Sequence, residues 1–262
     1  MPIVGAAFRR SVVEADLQVR LLIVRALQTC RHQSPAIAMH ANIHFVPGVL
    51  VRELSEADLP SAAAIVARGM RENPLHIAAL GADAEVRGDR LIGMFSVALP
   101  LIFSKGVLLG AFQGDTLLGI AGMVPPGKCQ PSMKEKITLL PRIFPAVGGG
   151  AFARVGRWMG TWAQHDPAEP HWHLGPIAVD APLQGQGIGS LLMSECCARL
   201  DRAHAVGYLE TDKPINVTFY EKFGFETTGS APVLNTPNWF MRRAAYAENP
   251  KRRLGFGIYF TD

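Results

Sequence analysis

The chain has 262 residues, of which 48% are hydrophobic and 18% charged, with a net charge of +4 at pH 7. This composition excludes a disordered chain, because the apolar residues suffice for a buried core. The small positive net charge favours anionic ligands, but the sequence has no dense Lys/Arg stripe that would predict a nucleic-acid partner. The most apolar uncharged run, residues 91–104, is shorter than the roughly 20 residues of a membrane span.

Residues 1–48 differ from the rest because they are rich in arginine and contain no lysine. Such a leader is typical of an organelle transit peptide, and a dispensable or wrongly assigned extension before Met39 is the alternative. We therefore predict three regions: this extension, one domain over 49–243, and a basic tail over 244–262. The cytoplasm is the expected location, with organelle import through residues 1–38 as the alternative.

The domain alternates strand-like and helix-like patterns. In chain order they predict a strand at 49–51, a helix from 59 that Asn73-Pro74 ends, and mostly helical or irregular chain over 75–105. A hairpin of strands 106–113 and 116–124 and helices over 132–163 follow. The second half predicts a strand at 171–179, a helix at 186–206, a strand at 208–211, a helix at 214–223, and final strands at 225–228 and 239–242.

The cysteines give no sign of a metal centre. Cys30, Cys129, Cys196 and Cys197 form no C-x-x-C pair and no spaced Cys/His quartet of the zinc kind. We therefore expect a reducing compartment and no metal.

A glycine cluster marks the most informative region. Gly185, Gly187 and Gly189 alternate where a strand and a loop lead into a helix, so that bare backbone N–H groups can bind the oxygens of a pyrophosphate. The alternative is that the glycines only shape a tight turn. A Walker A loop is excluded because G-K-[ST] is absent. A Rossmann loop is excluded because its G-x-G-x-x-G must follow the strand directly.

Two motifs in this region resemble those of the GNAT superfamily of acyl-CoA-dependent N-acetyltransferases. Gln184, Gly187 and Gly189 match its signature [Q/R]-x-x-G-x-[G/A], and Asn216, Tyr220 and Gly224-Phe225 form a second match downstream. The resemblance implies an α/β (α+β) fold: a mixed, mainly antiparallel central sheet with helices on both faces and a splay between two central strands.

The resemblance also implies acetyl-CoA as cosubstrate. Its diphosphate would bind the backbone of Gln184, Gly185, Gln186, Gly187, Ile188, Gly189 and Ser190. Its pantetheine arm would bind Ile177, Ala178 and Val179 together with the Asn216 amide. A first-turn capping role is the alternative for Asn216.

Tyr220 is the candidate general acid, because a phenol is protonated at neutral pH and can meet a departing thiolate. Packing in the core is its alternative role. The general base stays open between His173, which shares a strand face with His171, and Glu210, which ends the next strand. A structural histidine with a solvated glutamate, or no dedicated base at all, are the other interpretations.

The expected reaction is transfer of acetyl from acetyl-CoA to a small-molecule amine by direct attack in a ternary complex. A short likeness of residues 208–211 and 239–241 to the puromycin acetyltransferase branch favours a small acceptor. The alternatives are a protein or peptide N-acetyltransferase and a non-catalytic acyl-CoA-binding regulatory module. A homodimer is also open.

Overall fold

The computed structural model describes residues 46–246. Nearly all of the predicted N-terminal extension and most of the predicted tail lie outside the described residues. In chain order the elements are β1 (Val49–Glu53), α1 (Leu59–Met70), α2 (Pro74–Leu80), α3 (Ala84–Lys105), β2 (Val107–Gln113), β3 (Thr116–Val124), α4 (Met133–Val147), α5 (Gly149–His165), β4 (His171–Val179), α6 (Ile188–Arg202), β5 (Val206–Thr211), α7 (Pro214–Glu221), β6 (Glu226–Val233) and β7 (Thr236–Arg243).

These strands form one sheet in the order β1-β2-β3-β4-β5-β7-β6. Every neighbouring pair is antiparallel except β4 and β5, which confirms the predicted mixed, mainly antiparallel sheet. The parallel pair is short, because only His171–His173 faces Val206–Tyr208 although β4 runs on to Val179. The two central strands therefore separate towards their carboxyl ends, which is the expected splay.

Helices cover both faces of the sheet, as predicted. On one face α1, α3 and α5 contribute Val66, Leu91 and Trp158 to a shared core. On the other face α6 and α7 contribute Leu192 and Tyr220 to a second core. Within residues 46–246, none of the helices combines the length and the apolarity that a membrane crossing needs.

The last two strands are longer than the sequence predicts and form a hairpin. Leu234 and Asn235 make its turn, with φ of 50° and 63°. Pro232 and Pro237 face each other across the hairpin, and proline normally argues against a strand interior because it lacks an N–H donor. Both lie beyond Trp239, where β7 stops pairing with β5, so neither removes a hydrogen bond from the interior of the sheet.

Candidate active site

A glycine turn joins β4 to the start of α6. Gly185 and Gly187 have φ of 78° and 88°, in the left-handed region that favours glycine, and Gly187 is the N-cap of α6. The backbone N–H groups of the following first turn have no partner inside the helix. The turn therefore has both the tight shape and the exposed donors that a diphosphate site needs.

The chain before the turn is fixed by side chains. The Gln184 amide donates hydrogen bonds to the backbone oxygens of Gly69 and Val179, at 2.9 and 3.1 Å. The Asp180 carboxylate accepts two hydrogen bonds from Arg68, at 2.8 and 2.7 Å. The side chain of Gln184 thus holds the turn against α1, so its place among the predicted coenzyme contacts depends on its backbone.

Helix α7 lies against this turn and carries the second motif. A Cβ added at Gly189 would lie 3.7 Å from the ring of Phe219, the residue before Tyr220. The Asn216 amide donates a hydrogen bond to Thr211 Oγ1 at 3.1 Å, which ties α7 to the end of β5. Asn216 is therefore engaged within the protein through its nitrogen, as a structural residue would be.

Tyr220 is 7% exposed and packs beside the rings of Phe219 and Phe225, with centroids 5.2 and 6.1 Å away. Burial, with Cys196 and Asp212 nearby, raises the pKa of the Tyr220 phenol above its ordinary value. The hydroxyl is therefore protonated at neutral pH, the state that a general acid requires.

The two candidate bases meet in the structure. His173 Nε2 lies 3.0 Å from Glu210 Oε2, and the Glu210 side chain is only 3% exposed. Because side chains alternate along a strand, Glu210 and Tyr208 point to the face covered by α5, whereas Leu209 packs with Tyr220 on the face covered by α6 and α7. The His173–Glu210 pair and Tyr220 thus approach the splayed strands from opposite faces.

Next to this pair lies a polar cluster of which the sequence analysis identified only the histidines. His171 Nε2 is 3.1 Å from Asp166 Oδ1, and Cys129 Sγ donates to Asp166 Oδ2 at 3.2 Å. Asp166 lies just after α5 and Cys129 in the loop after β3, so no local motif joins them to β4. The only signal in the sequence is that cysteine and aspartate side chains can bind metal ions.

The carboxylates and imidazoles of this cluster shift one another's pKa values towards their charged forms. Burial alone would raise the pKa of the Asp166 carboxyl, but His171 and His173 hold it well below its usual range. Asp166 raises the pKa of His171 to about 10. Burial alone would lower the pKa of His173, but Glu210 and Asp166 raise it well above its ordinary value. These carboxylates therefore favour a positive charge between them.

The acetyltransferase (GNAT) family model matches residues 86–225, more than half of the chain. This chain belongs to the GNAT acetyltransferase family. It is accordingly an N-acetyltransferase, and members of this family take the acetyl group from acetyl-CoA. The family match includes the glycine turn, Asn216 and Tyr220.

Several solved structures are similar to this acetyltransferase. A protein described as histone acetyltransferase HPA2 and related acetyltransferase, from Corynebacterium glutamicum, is 20% identical with a TM-score of 0.60, over 76% of this chain and 97% of the other. A GNAT family acetyltransferase from Brucella melitensis, solved with acetyl-CoA, is 17% identical with a TM-score of 0.42, over 75% and 87% of the chains. The ribosomal-protein-S18-alanine N-acetyltransferase from Escherichia coli is 14% identical with a TM-score of 0.45, over 81% and 99%. The Corynebacterium likeness, with a TM-score of 0.60 at 20% identity, shows the fold alone.

In this acetyltransferase the helices α4 and α5 are inserted between β3 and β4. Arg154 on α5 donates a hydrogen bond to the Ala79 backbone oxygen at 2.8 Å, and Trp162 donates to Asn238 Oδ1 at 3.1 Å. At the end of α5, the His165 backbone oxygen accepts a hydrogen bond from the Tyr208 hydroxyl at 3.0 Å. Helix α5 is thus attached to α2, β5 and β7, and it covers the face on which Glu210 lies.

Proposed function

We propose that this acetyltransferase transfers the acetyl group of acetyl-CoA to the amine of a small molecule, which attacks the thioester while both substrates are bound. The observation that carries the proposal is the gap between β4 and β5, because β4 leads into the glycine turn while Tyr220 packs on one face of the sheet and Glu210 lies on the other. In this proposal, coenzyme binding, proton removal and thiolate protonation each have a candidate residue near the gap.

The coenzyme would lie along β4. Residues Ile177, Ala178 and Val179 pair with β3 on one side, and they lie beyond the ladder that joins β4 to β5. Backbone groups on their β5 side are therefore available to the amides of the pantetheine arm. The N–H groups from Gly185 to Ser190 would bind the diphosphate.

Two residues would carry out the proton transfers of the reaction. The amine nitrogen forms a bond to the carbonyl carbon, and the carbon–sulfur bond breaks. The Glu210 carboxylate accepts the proton that the amine loses, directly or through a water, and the Tyr220 hydroxyl gives its proton to the departing thiolate. We assign the base to Glu210 because both ring nitrogens of His173 face carboxylates, at 3.0 Å from Glu210 and 3.9 Å from Asp166. His173 is then a positioning residue.

The enclosure of Glu210 supports a small acceptor. The Glu210 carboxylate is 3% exposed beneath α5, so a compact amine would need less room to reach it than a protein chain, which needs an open groove that leads to the reacting carbonyl. An acceptor panel tests this choice: acetyl-CoA is mixed with small primary and secondary amines or with peptides, and free CoA thiol is measured. We expect turnover with at least one small amine and none with peptides. Turnover with peptides alone would overturn the small acceptor, and coenzyme binding without any transfer would favour the regulatory module.

The glycine turn provides a separate test of the coenzyme position. We expect Gly187→Val to raise the Kd for CoA by about tenfold or more, because a branched side chain would crowd the phosphates and strain a left-handed backbone. Gly114→Val is the matched control, since Gly114 has φ of 57° in the β2–β3 hairpin with no atom within 4 Å of an added Cβ. Titration calorimetry should show near-normal affinity in the control. Equal affinity in both variants would contradict the placement of the diphosphate.

A further inference from the structure

We propose that Cys129, Asp166, His171 and His173, here called the quartet, bind a zinc ion. One ligand atom from each residue lies within 4.8 Å of the other three. A thiolate, a carboxylate and two imidazoles are the ligand types that zinc takes in proteins, whereas magnesium and calcium prefer oxygen ligands alone. Four protein ligands would complete a tetrahedral site.

Three of these atoms make no hydrogen bond within residues 46–246, although carboxylate and imidazole charges lie beside them. Asp166 Oδ1, His171 Nε2 and His173 Nδ1 are buried and make no hydrogen bond within the described part of the chain. Asp166 Oδ1 and His171 Nε2 are 3.1 Å apart and still do not meet the geometry of a hydrogen bond. Buried polar atoms normally make hydrogen bonds, so three such atoms that make none and lie within 4.8 Å of one another indicate a common ligand.

The second nitrogen of each imidazole faces an oxygen acceptor, as is usual for histidines that bind metals. His171 Nδ1 lies 2.8 Å from the Glu169 backbone oxygen, which can only accept a hydrogen bond. Nδ1 therefore carries a proton, and Nε2 is the nitrogen that would bind the metal after its own proton is released. His173 Nε2 likewise faces the Glu210 carboxylate at 3.0 Å, so Nδ1 is the nitrogen that would bind the metal once its proton is released.

A hydrogen bond also orients the carboxylate of Asp166. Gln130, the neighbour of Cys129, donates a hydrogen bond to Asp166 Oδ2 at 3.1 Å. This contact leaves Oδ1 directed at the two rings. Outer contacts of this kind orient ligands and are a regular part of metal sites.

The site would connect the insert to the sheet. Cys129 precedes α4, Asp166 follows α5, and both histidines are on β4. A bound zinc would therefore join both ends of the α4–α5 insert to the strand that pairs with β5, and no ligand position would stay open for substrate. The proposed zinc site is structural and has no part in acetyl transfer itself, since it would fix the insert and β4 beside Glu210.

Cobalt substitution tests the site without any measurement of activity. The full chain, stripped with a chelator, is titrated with Co²⁺. We expect a single equivalent to give the visible bands of tetrahedral cobalt and a near-ultraviolet thiolate-to-cobalt charge-transfer band, and Zn²⁺ but not Mg²⁺ to abolish both. Cys129→Ser should lose the charge-transfer band. Cys197→Ser, which changes a buried cysteine on α6 outside the quartet, should keep it.

Thermal unfolding provides a second readout. Zn²⁺ should raise the Tm of the stripped wild type and of Cys197→Ser, because a ligand that binds only the folded state stabilises it. His171→Gln should lose this response. If the stripped wild type binds no equimolar cobalt, or if its charge-transfer band persists in Cys129→Ser, the quartet is an ion-paired cluster and the proposal is wrong. The wild-type titration decides this even where a variant fails to fold.

Discussion

Tyr220→Phe is expected to lower kcat by about 10²-fold or more while the Kd for acetyl-CoA stays nearly unchanged. The phenylalanine ring keeps the packing against Phe219 and Phe225, so the variant removes little more than the hydroxyl. In the proposed mechanism that hydroxyl supplies the proton of the CoA thiol. Without it the thiolate must leave unprotonated or wait for a water.

A second buried tyrosine provides the control. The Tyr208 hydroxyl donates to the His165 backbone oxygen on the opposite face of the sheet, so Tyr208→Phe should lower the free energy of unfolding by about 1 kcal/mol. We expect a much smaller fall in kcat than for Tyr220→Phe. Steady-state kinetics and calorimetry on both variants separate a lost proton donor from a lost buried hydroxyl. If Tyr220→Phe kept full turnover, Tyr220 would be a core residue only.

Glu210→Gln is expected to lower kcat/KM for the amine by about 10²- to 10⁴-fold. Glutamine has nearly the same size and can still accept a hydrogen bond from His173 Nε2, but it cannot take up the amine proton. Binding of acetyl-CoA should be unaffected, because the coenzyme contacts lie on β4 and the glycine turn. The loss should shrink for acceptors whose amine is already neutral and strongly nucleophilic.

Glu169→Gln makes the same chemical change outside the site. The Glu169 side chain pairs with Arg242 and is 40% exposed, so its loss should leave kcat/KM close to that of the wild type. Parallel measurement of the two variants at one pH removes any general effect of lost negative charge. If the kcat/KM of Glu210→Gln matched that of Glu169→Gln, Glu210 would not be the base.

Most of the fold could be predicted because its signals are local. Gly114-Asp115 separates two strand-like runs, and the structure has a hairpin there with Gly114 at φ of 57°. Gly185 and Gly187 similarly mark a turn whose positive φ values only glycine adopts easily. The extent of β6 and β7 was not predictable in this way, because Pro232 and Pro237 suggest an interruption, and only the sheet order shows that their positions are harmless.

The candidate site likewise contains residues that local motifs predict and residues that only the tertiary structure brings together. The glycine turn and the α7 residues belong to motifs that are continuous in sequence. The adjacency of His173 and Glu210 depends on the register of β4 on β5, where His173 faces Tyr208, and alternation along one strand cannot supply that register. The quartet was missed because Cys129 and Asp166 stand on either side of a two-helix insert and reach β4 only through tertiary packing.

The proposed mechanism depends on where the coenzyme binds, and a crystal structure of this chain with CoA would show that position. We predict that the diphosphate oxygens accept hydrogen bonds from backbone N–H groups between Gly185 and Ser190, and that the pantetheine arm enters the gap between β4 and β5. The sulfur should then lie within hydrogen-bond distance of the Tyr220 hydroxyl. If the coenzyme bound elsewhere, or if side chains filled the gap and the sulfur lay far from Tyr220, the proposed mechanism would be wrong.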